Sequence, residues 1–384
     1  MFMPFYFPSQ RPPRVVVVGG GYAGLSALVT LREHQPDAEI TLIDPRDHHL
    51  KITHLHETFR RPLSSMRLPF RLLEQRFDIR HVRTSLGYDP AALRQWATEN
   101  WLPTDGPVIE FDYLIWATGA SYRTFDKSPQ VLDLNDFMQT PGAELLSRKL
   151  GESDSTDPFI SVVGSGATGI QFLFEIDHYI RARGLPWRLR LVDASDAPLR
   201  QFHPKLGRYV VSRLQEQGIE YLPNHYYRGQ AADHIELENH DSGEITRHPS
   251  TLALVFAGMN PEYRLETNVF GQILLDGKTQ PKLFAAGDCS NYKMPGSNAL
   301  SAQTALRKGR LVARNVLRHG SRFKLLEPWL HRDLGYVIGL GPHDAVGWVA
   351  LEGNIVAGQP AVLLKEVVEA QYDLLLAGLD TYFP

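Results

Sequence analysis

Residues 14–44 read RVVVVGGGYAGLSALVTLREHQPDAEITLID. Arg14–Val18 is a short β-branched run, the mark of a strand buried on both faces. Gly19, Gly21 and Gly24 follow as G-x-G-x-x-G. Helical spacing runs from Ala23 to Gln35 and stops before Pro36. Glu39–Ile43 reads as a second strand, ended by Asp44. Strand, turn, helix, strand and acid thus fall in the order that dinucleotide binding requires. Gly19 permits the tight turn, Gly21 lets backbone approach a pyrophosphate, and Gly24 lets helix and strand pack closely. The helix N-terminus turns its positive end to the phosphates. Asp44 is placed to accept hydrogen bonds from ribose hydroxyls. The plainer alternative is a glycine-rich turn without a ligand.

Residues 159–193, FISVVGSGATGIQFLFEIDHYIRARGLPWRLRLVD, repeat the design. Phe159–Val163 is the strand, Gly164, Gly166 and Gly169 are the glycines, and Ala167–Arg183 is the helix. Arg188–Val192 is the following strand and Asp193 its terminal acid. This is a duplicated nucleotide unit rather than a solenoid repeat. Two dinucleotides held in one chain suggest electrons or hydride passing between them; a vestigial second copy is the alternative.

The 384 residues suffice for two or three domains with a large core. A net charge of −3 argues against nucleic acid as a partner. Cys289 is the only cysteine, which excludes an intrachain disulfide and a dithiol redox centre and fits a reducing compartment. The N-terminal MFMPFYFPSQRPPR lacks a basic n-region and reads as a short arm. No stretch approaches the roughly 20 apolar residues of a membrane span. The expectation is a cytoplasmic protein, at most peripheral on the cytoplasmic face of a membrane.

Three further stretches follow. FDYLIWATGA (111–120) is a buried strand ending in Thr118 and Gly119, LALVFAGMNPE (252–262) runs to Gly258, and LFAAGDCS (283–290) leads to Gly287 and Asp288. Together with the two glycine motifs, they resemble the two-dinucleotide-binding flavoproteins of the glutathione-reductase structural class. Within that class the chain is most similar to type II NADH dehydrogenases and apoptosis-inducing-factor-like NAD(P)H:quinone oxidoreductases, over about residues 14–375. The resemblance implies an α/β fold with two Rossmann-like domains and a small C-terminal α+β region. The FAD domain would occupy residues 1–120 and 263–321, the NAD(P)H domain 121–262, and the C-terminal region 322–384. Gly19, Gly21, Tyr22, Ala23, Gly24, Asp44, Arg46, His49, Thr118, Gly119, Gly287 and Asp288 would hold FAD. Gly164, Gly166, Gly169, Asp193 and Gly258 would hold the nicotinamide nucleotide. The anionic Asp193 favours NADH over NADPH, although Arg188, Arg190 and Arg200 lie nearby in sequence.

The implied activity is FAD-dependent oxidation of NADH with a quinone-like acceptor. A ferredoxin-type reductase and a slowly turning over redox sensor are the alternatives. Gln171 stands where the family carries a glutamate near the nicotinamide, and Phe174 where it carries a small residue. Gln303 and Arg307 occupy the family's quinone-related A-Q-x-x-x-Q positions, with arginine replacing the second glutamine; ordinary helix surface is the alternative for both. No disulfide chemistry is expected, and Cys289 should be buried and inert.

HHLKITHLHE (48–57) begins four residues after Asp44, so it should line the crevice at the carboxyl ends of the strands. His48, His49, His54, His56 and Glu57 lack a converging ligand triplet, and no metal is expected. A histidine there suits proton relay to a reduced flavin or quinone; packing or solvent contact is equally open. Lys51 would sit at the flavin edge and favour an anionic reduced form, or else be solvated. Strands are expected at Leu334–Ile338, Val346–Leu351 and Asn354–Val356. Gln359–Leu376 shows amphipathic helical spacing, with apolar residues at 363, 364, 367, 368, 374 and 375. Its acidic polar face (Glu366, Glu369, Asp373) favours core packing or a homodimer interface over membrane adsorption.

Overall fold

A computed structural model describes residues 11–120, 128–151, 158–256, 258, 264–293 and 296–381. The first ten residues of the arm and most of the stretch after Gly258 fall outside these.

Arg14–Val18 is 5 residues of almost wholly buried backbone. It pairs in parallel with Glu39–Ile43 on one side and Tyr113–Trp116 on the other. Arg80–Val82 extends this sheet beyond Glu39–Ile43, and Lys278–Ala285 extends it beyond Tyr113–Trp116. Gln272–Leu275, Leu265–Thr267 and Ser290–Tyr292 complete eight strands. Strands from both ends of the sequence therefore share one sheet. A second sheet of five parallel strands is ordered Glu220–Leu222, Arg188–Val192, Phe159–Val163, Leu252–Val255, Val131–Leu132. This is the expected α/β class: the five-stranded sheet is parallel throughout, and the eight-stranded one is parallel except where Gln272–Leu275 runs antiparallel to both its neighbours.

The first glycine helix runs Tyr22–His34, one residue earlier at each end than its spacing suggests. Gly21 serves as its N-cap, and the Gln35 backbone amide closes it by donating to the Leu31 carbonyl. This helix lies against Ala302–Gly320, and small residues let the backbones meet. A Cβ on Gly309 would stand 2.1 Å from the Ala23 carbonyl oxygen, and Ser26 Oγ donates to the Leu306 carbonyl at 2.9 Å.

The histidine segment is not a plain loop. His48–Leu50 pairs antiparallel with Arg67–Pro69, and Ile52–Phe59 is a 3-10 helix. At the C-terminus, Gly335–Gly339, Ala345–Val349 and Leu351–Ala357 form an antiparallel sheet. The second and third strands are divided at Ala350, whose positive φ of 63° marks the turn. Gln359–Leu376 is a helix over the expected range, but its facing corrects the expectation of core packing. Ala361, Tyr372, Leu375 and Leu376 point inward, while Leu363 (67% exposed), Val367, Val368 and Leu374 face outward. The reason lies on the other side of the helix, where Lys365, Glu369, Tyr372 and Asp373 bind the histidine segment.

Candidate functional site

Both glycine turns are shaped by the same backbone constraints. Gly19 has φ +104° and Gly164 φ +102°, a region open to glycine. A Cβ on Gly24 would come within 1.9 Å of the Gly19 carbonyl oxygen, and one on Gly169 within 1.9 Å of that of Gly164. These glycines let strand and helix touch. Gly21 and Gly166 differ: a Cβ on Gly21 meets nothing within 4 Å, and one on Gly166 meets only Gln201 Nε2 at 3.9 Å. Space is therefore kept above each turn, at the N-terminus of a helix with no side-chain cap and no acid in its first turn. Uncapped N–H groups and the positive helix end suit an anionic diphosphate.

The two acids hold the turns. Asp193 Oδ2 accepts from the Ser165 amide at 2.5 Å and Oδ1 from the Ser195 amide at 2.7 Å. Asp44 Oδ2 accepts from the Gly20 amide at 2.7 Å and from Arg46 Nη2 at 2.7 Å, and Oδ1 accepts from Arg46 N and Nε at 2.9 Å each. Asp44 is 2% exposed. Burial raises its carboxyl pKa, but the Arg46 bonds and charge outweigh this and hold it below the usual range. Asp44 therefore points into the turn instead of standing open to a ribose, and the exposed partner is Arg46. Of the arginines near Asp193 in sequence, Arg190 is buried against Glu220 and Phe159, Arg188 lies over the Phe159 ring, and Arg200 pairs with Asp196.

Thr118 and Gly119 follow the strand beside Gly19, and Gly119, Gly258 and Gly287 all take positive φ. Among the described residues, nothing hydrogen-bonds the Asp288 carboxylate. Burial pushes it up to about 6, against the pull of Lys308 and Arg264. A carboxylate with no hydrogen bond among the described residues, beside a glycine, fits a ligand rich in hydroxyls. Cys289 is buried, its Sγ donates to the Ala286 carbonyl, and burial pushes the thiol pKa up, as an inert cysteine requires.

The histidine segment is a junction. His49 is fully buried between the Gly20 carbonyl, 2.9 Å from Nδ1, and the Tyr372 hydroxyl, 2.9 Å from Nε2. His56 Nε2 lies 3.4 Å from Gln171 Nε2. Burial pushes the pKa of both histidines down, that of His49 to about 4. Both are accordingly neutral near pH 7. Lys51 does not stand free at a cofactor edge; its ammonium is bound by Asp373. His54, Glu57 and Glu369 bring one potential ligand atom each within 4.8 Å of one another. Lys365 Nζ occupies the same place, 3.1 Å from Glu57 Oε1 and 2.5 Å from Glu369 Oε1, and supplies the positive charge. Phe174 is buried in a core that joins the second glycine unit to Leu55 and Phe59 of the histidine segment and to Ile338 of the C-terminal sheet. Gln303 and Arg307 are half-buried, one turn apart on helix Ala302–Gly320, whose N-cap Ser301 accepts from the Thr304 amide.

Two groups escape a reading of the sequence. Gln201 reaches the second turn because the Leu199 amide donates to the Ser165 carbonyl at 3.0 Å, a fold-back without a local signature. Tyr372 is marked only by sharing a helical face with Lys365 and Glu369.

A model of the pyridine nucleotide-disulphide oxidoreductase family matches residues 13–309. A type II NADH:quinone oxidoreductase of Staphylococcus aureus is 25% identical over 419 residues, covering 98% of each chain. Among solved structures, the NDH2 of Plasmodium falciparum in complex with NADH superposes with a TM-score of 0.76 at 13% identity, over 96% of this chain and 97% of that one. The sulfide:quinone oxidoreductase of Aquifex aeolicus gives 0.74 at 17% identity, over 96% and 93%. At such identities the structural matches speak for the fold.

Proposed function

The chain belongs to the pyridine nucleotide-disulphide oxidoreductase family, and from that membership we propose that it oxidises NADH with bound FAD and reduces a quinone. The observation that carries this reading is the pair of matched turns. Gly21 and Gly166 each keep open space at an uncapped helix end, each beside a strand of a separate sheet. The residues fit the two cofactors. Gly19, Gly21, Gly24 and Arg46, with Asp288, whose carboxylate accepts no hydrogen bond among the described residues, would hold FAD; Gly164, Gly166, Asp193 and Gln201 would hold NADH. When bound, FAD supplies a ring that takes two electrons from a nicotinamide and gives them to a quinone.

The protein's own contribution is positional. Asp44 and Asp193 fix the turns from below, so backbone amides meet the phosphates without reorganising. The Asp193 carboxylate repels a 2′-phosphate, and the nearby arginines are bound elsewhere, so NADH is preferred over NADPH. Gln171, beside buried His56, offers a neutral polar side chain for the nicotinamide. Gln303 and Arg307 are assigned to the acceptor.

No helix among the described residues is long and apolar enough to cross a membrane. We assign the outward face of the C-terminal helix, with exposed Leu363, Val367 and Val368, to peripheral contact with the layer in which quinone dissolves. Steady-state NADH oxidation with a short-chain quinone, set beside ferredoxin, tests the assignment. Turnover with the quinone alone supports it, and turnover with ferredoxin alone replaces it with a reductase of carrier proteins.

A further inference from the structure

The backbone of Gly20 is held from both sides. Its N–H donates to Asp44, and its carbonyl lies 2.9 Å from His49 Nδ1. A carbonyl can only accept, so Nδ1 of the neutral ring carries the proton and Nε2 carries the lone pair. The Tyr372 hydroxyl, 2.9 Å from Nε2, must then be the donor. A directed chain runs from Tyr372 O–H to His49, from His49 N–H to the Gly20 carbonyl, and from the Gly20 amide to Asp44. Tyr22, first residue of the glycine helix, closes the pocket around it. Its ring centroid lies 5.1 Å from that of His49 and 4.8 Å from that of Tyr372, and its hydroxyl meets Thr53 Oγ1 at 2.7 Å.

Tyr372 is itself fixed. On the same helix Asp373 pairs with Lys51, Lys365 pairs with Glu57, and Arg76 Nη1 donates to the Leu376 carbonyl at 2.8 Å. We propose that Tyr372 and His49 are positioning residues for the first dinucleotide site. Through them the C-terminal helix sets the peptide orientation of the turn on which the flavin pyrophosphate rests. This rests on the reading of that turn as the FAD site, and it adds a determinant from a helix remote in sequence.

The test uses the full-length protein, stripped of FAD and titrated with it. Tyr372→Phe removes the donor to Nε2 and keeps the ring. His49→Asn places an amide Nδ2 where imidazole Nδ1 stands, so it keeps the bond to Gly20 and loses the link to Tyr372. His49→Leu loses both. Tyr372→Phe should weaken FAD binding roughly tenfold, the scale of one buried hydrogen-bond donor left out. His49→Leu should weaken it more than His49→Asn, and adding Tyr372→Phe to His49→Asn should change nothing further. NAD+ affinity at the second turn should stay unaltered throughout. Wild-type affinity for FAD in Tyr372→Phe overturns the proposal. So does a loss of melting temperature in the flavin-free protein with FAD affinity unchanged, or an additive double variant. Failure of the wild-type chain to bind FAD would instead strike the reading of the site itself.

Discussion

Asp44 Oδ2 lies 2.7 Å from the Gly20 amide nitrogen, and the same oxygen receives Arg46 Nη2. The acid at the end of the second strand is thus an internal brace for the turn. Replacing it with Ala removes the acceptor of Gly20 and leaves Arg46 unpaired. FAD affinity should fall by about tenfold or more, while NAD+ affinity at the second turn is kept. Fluorescence titration of each nucleotide checks this, and an equal loss at both turns would contradict the brace.

The glycines of one motif should separate by role. Gly21 has φ −85° and ψ −170°, accessible to any residue, and a methyl there meets nothing. Gly21→Ala should fold with a wild-type circular dichroism spectrum and retain little flavin. Gly24→Ala forces a methyl against the Gly19 carbonyl and should reduce soluble yield. A flavin-loaded Gly21→Ala protein would show that the turn does not carry the pyrophosphate.

The hub around Glu57 should be a major stability element. Its carboxylate is 1% exposed and lies within 3.2 Å of Arg60, Arg61 and Lys365. Although burial opposes ionisation, contacts with His54 and Lys365 hold the carboxyl pKa well below its usual range. Glu57→Ala leaves Lys365 partly buried without this partner and should cost about 3 kcal/mol. Urea unfolding reads this directly, and a cost below about 1 kcal/mol would mean the hub is solvated.

Acid should act through His49. Its pKa is about 4 in the folded chain against an ordinary 6.5. Between those values the unfolded chain binds a proton that the folded one refuses. Stability therefore rises with pH through this window and is lost as pH falls, by at most about 3 kcal/mol from this group. Buried His56 acts in the same direction, so the informative quantity is the difference between wild type and His49→Asn. The variant should show the shallower dependence in unfolding at pH 7.5, 6 and 5; equal slopes would contradict the shift.

The outward face of the C-terminal helix should govern surface contact. Leu363→Glu with Val367→Glu should release the protein from neutral vesicles and slow turnover with a long-chain quinone. Turnover with a soluble short-chain quinone should be unchanged. Vesicle flotation together with the two assays checks this. A shift from dimer to monomer without loss of vesicle binding would assign the face to a second copy.

The parts of the fold legible in the sequence are those with local causes. Gly19 and Gly164 need positive φ, Gly24 and Gly169 need contact with a neighbouring carbonyl, and the flanking β-branched runs need burial on both faces. Each requirement is met within about thirty residues, so it marks the sequence. The contact between His49 and Tyr372 spans 323 positions, and no periodicity encodes it. The C-terminal helix shows the same limit from another side. Its spacing gave the helix over its full range, but an apolar stripe says only that something covers a face. The polar residues Glu369 and Asp373, with Lys365 beside them, bind the segment 51–57, and that contact leaves the stripe facing outward. The position of Asp44 at the end of its strand marks it as an acid of the site, while its inward direction depends on Arg46, two residues away, closing on it.

If two turns of one chain hold FAD and NADH, electrons pass between them, and an anaerobic titration of the purified protein with NADH, followed by visible absorption, reads that transfer. The protein as isolated should show flavin bands, bleached by about one equivalent of NADH and restored by adding a quinone. A protein that carries no flavin and binds none on reconstitution, or whose flavin bands persist under excess NADH, would contradict it.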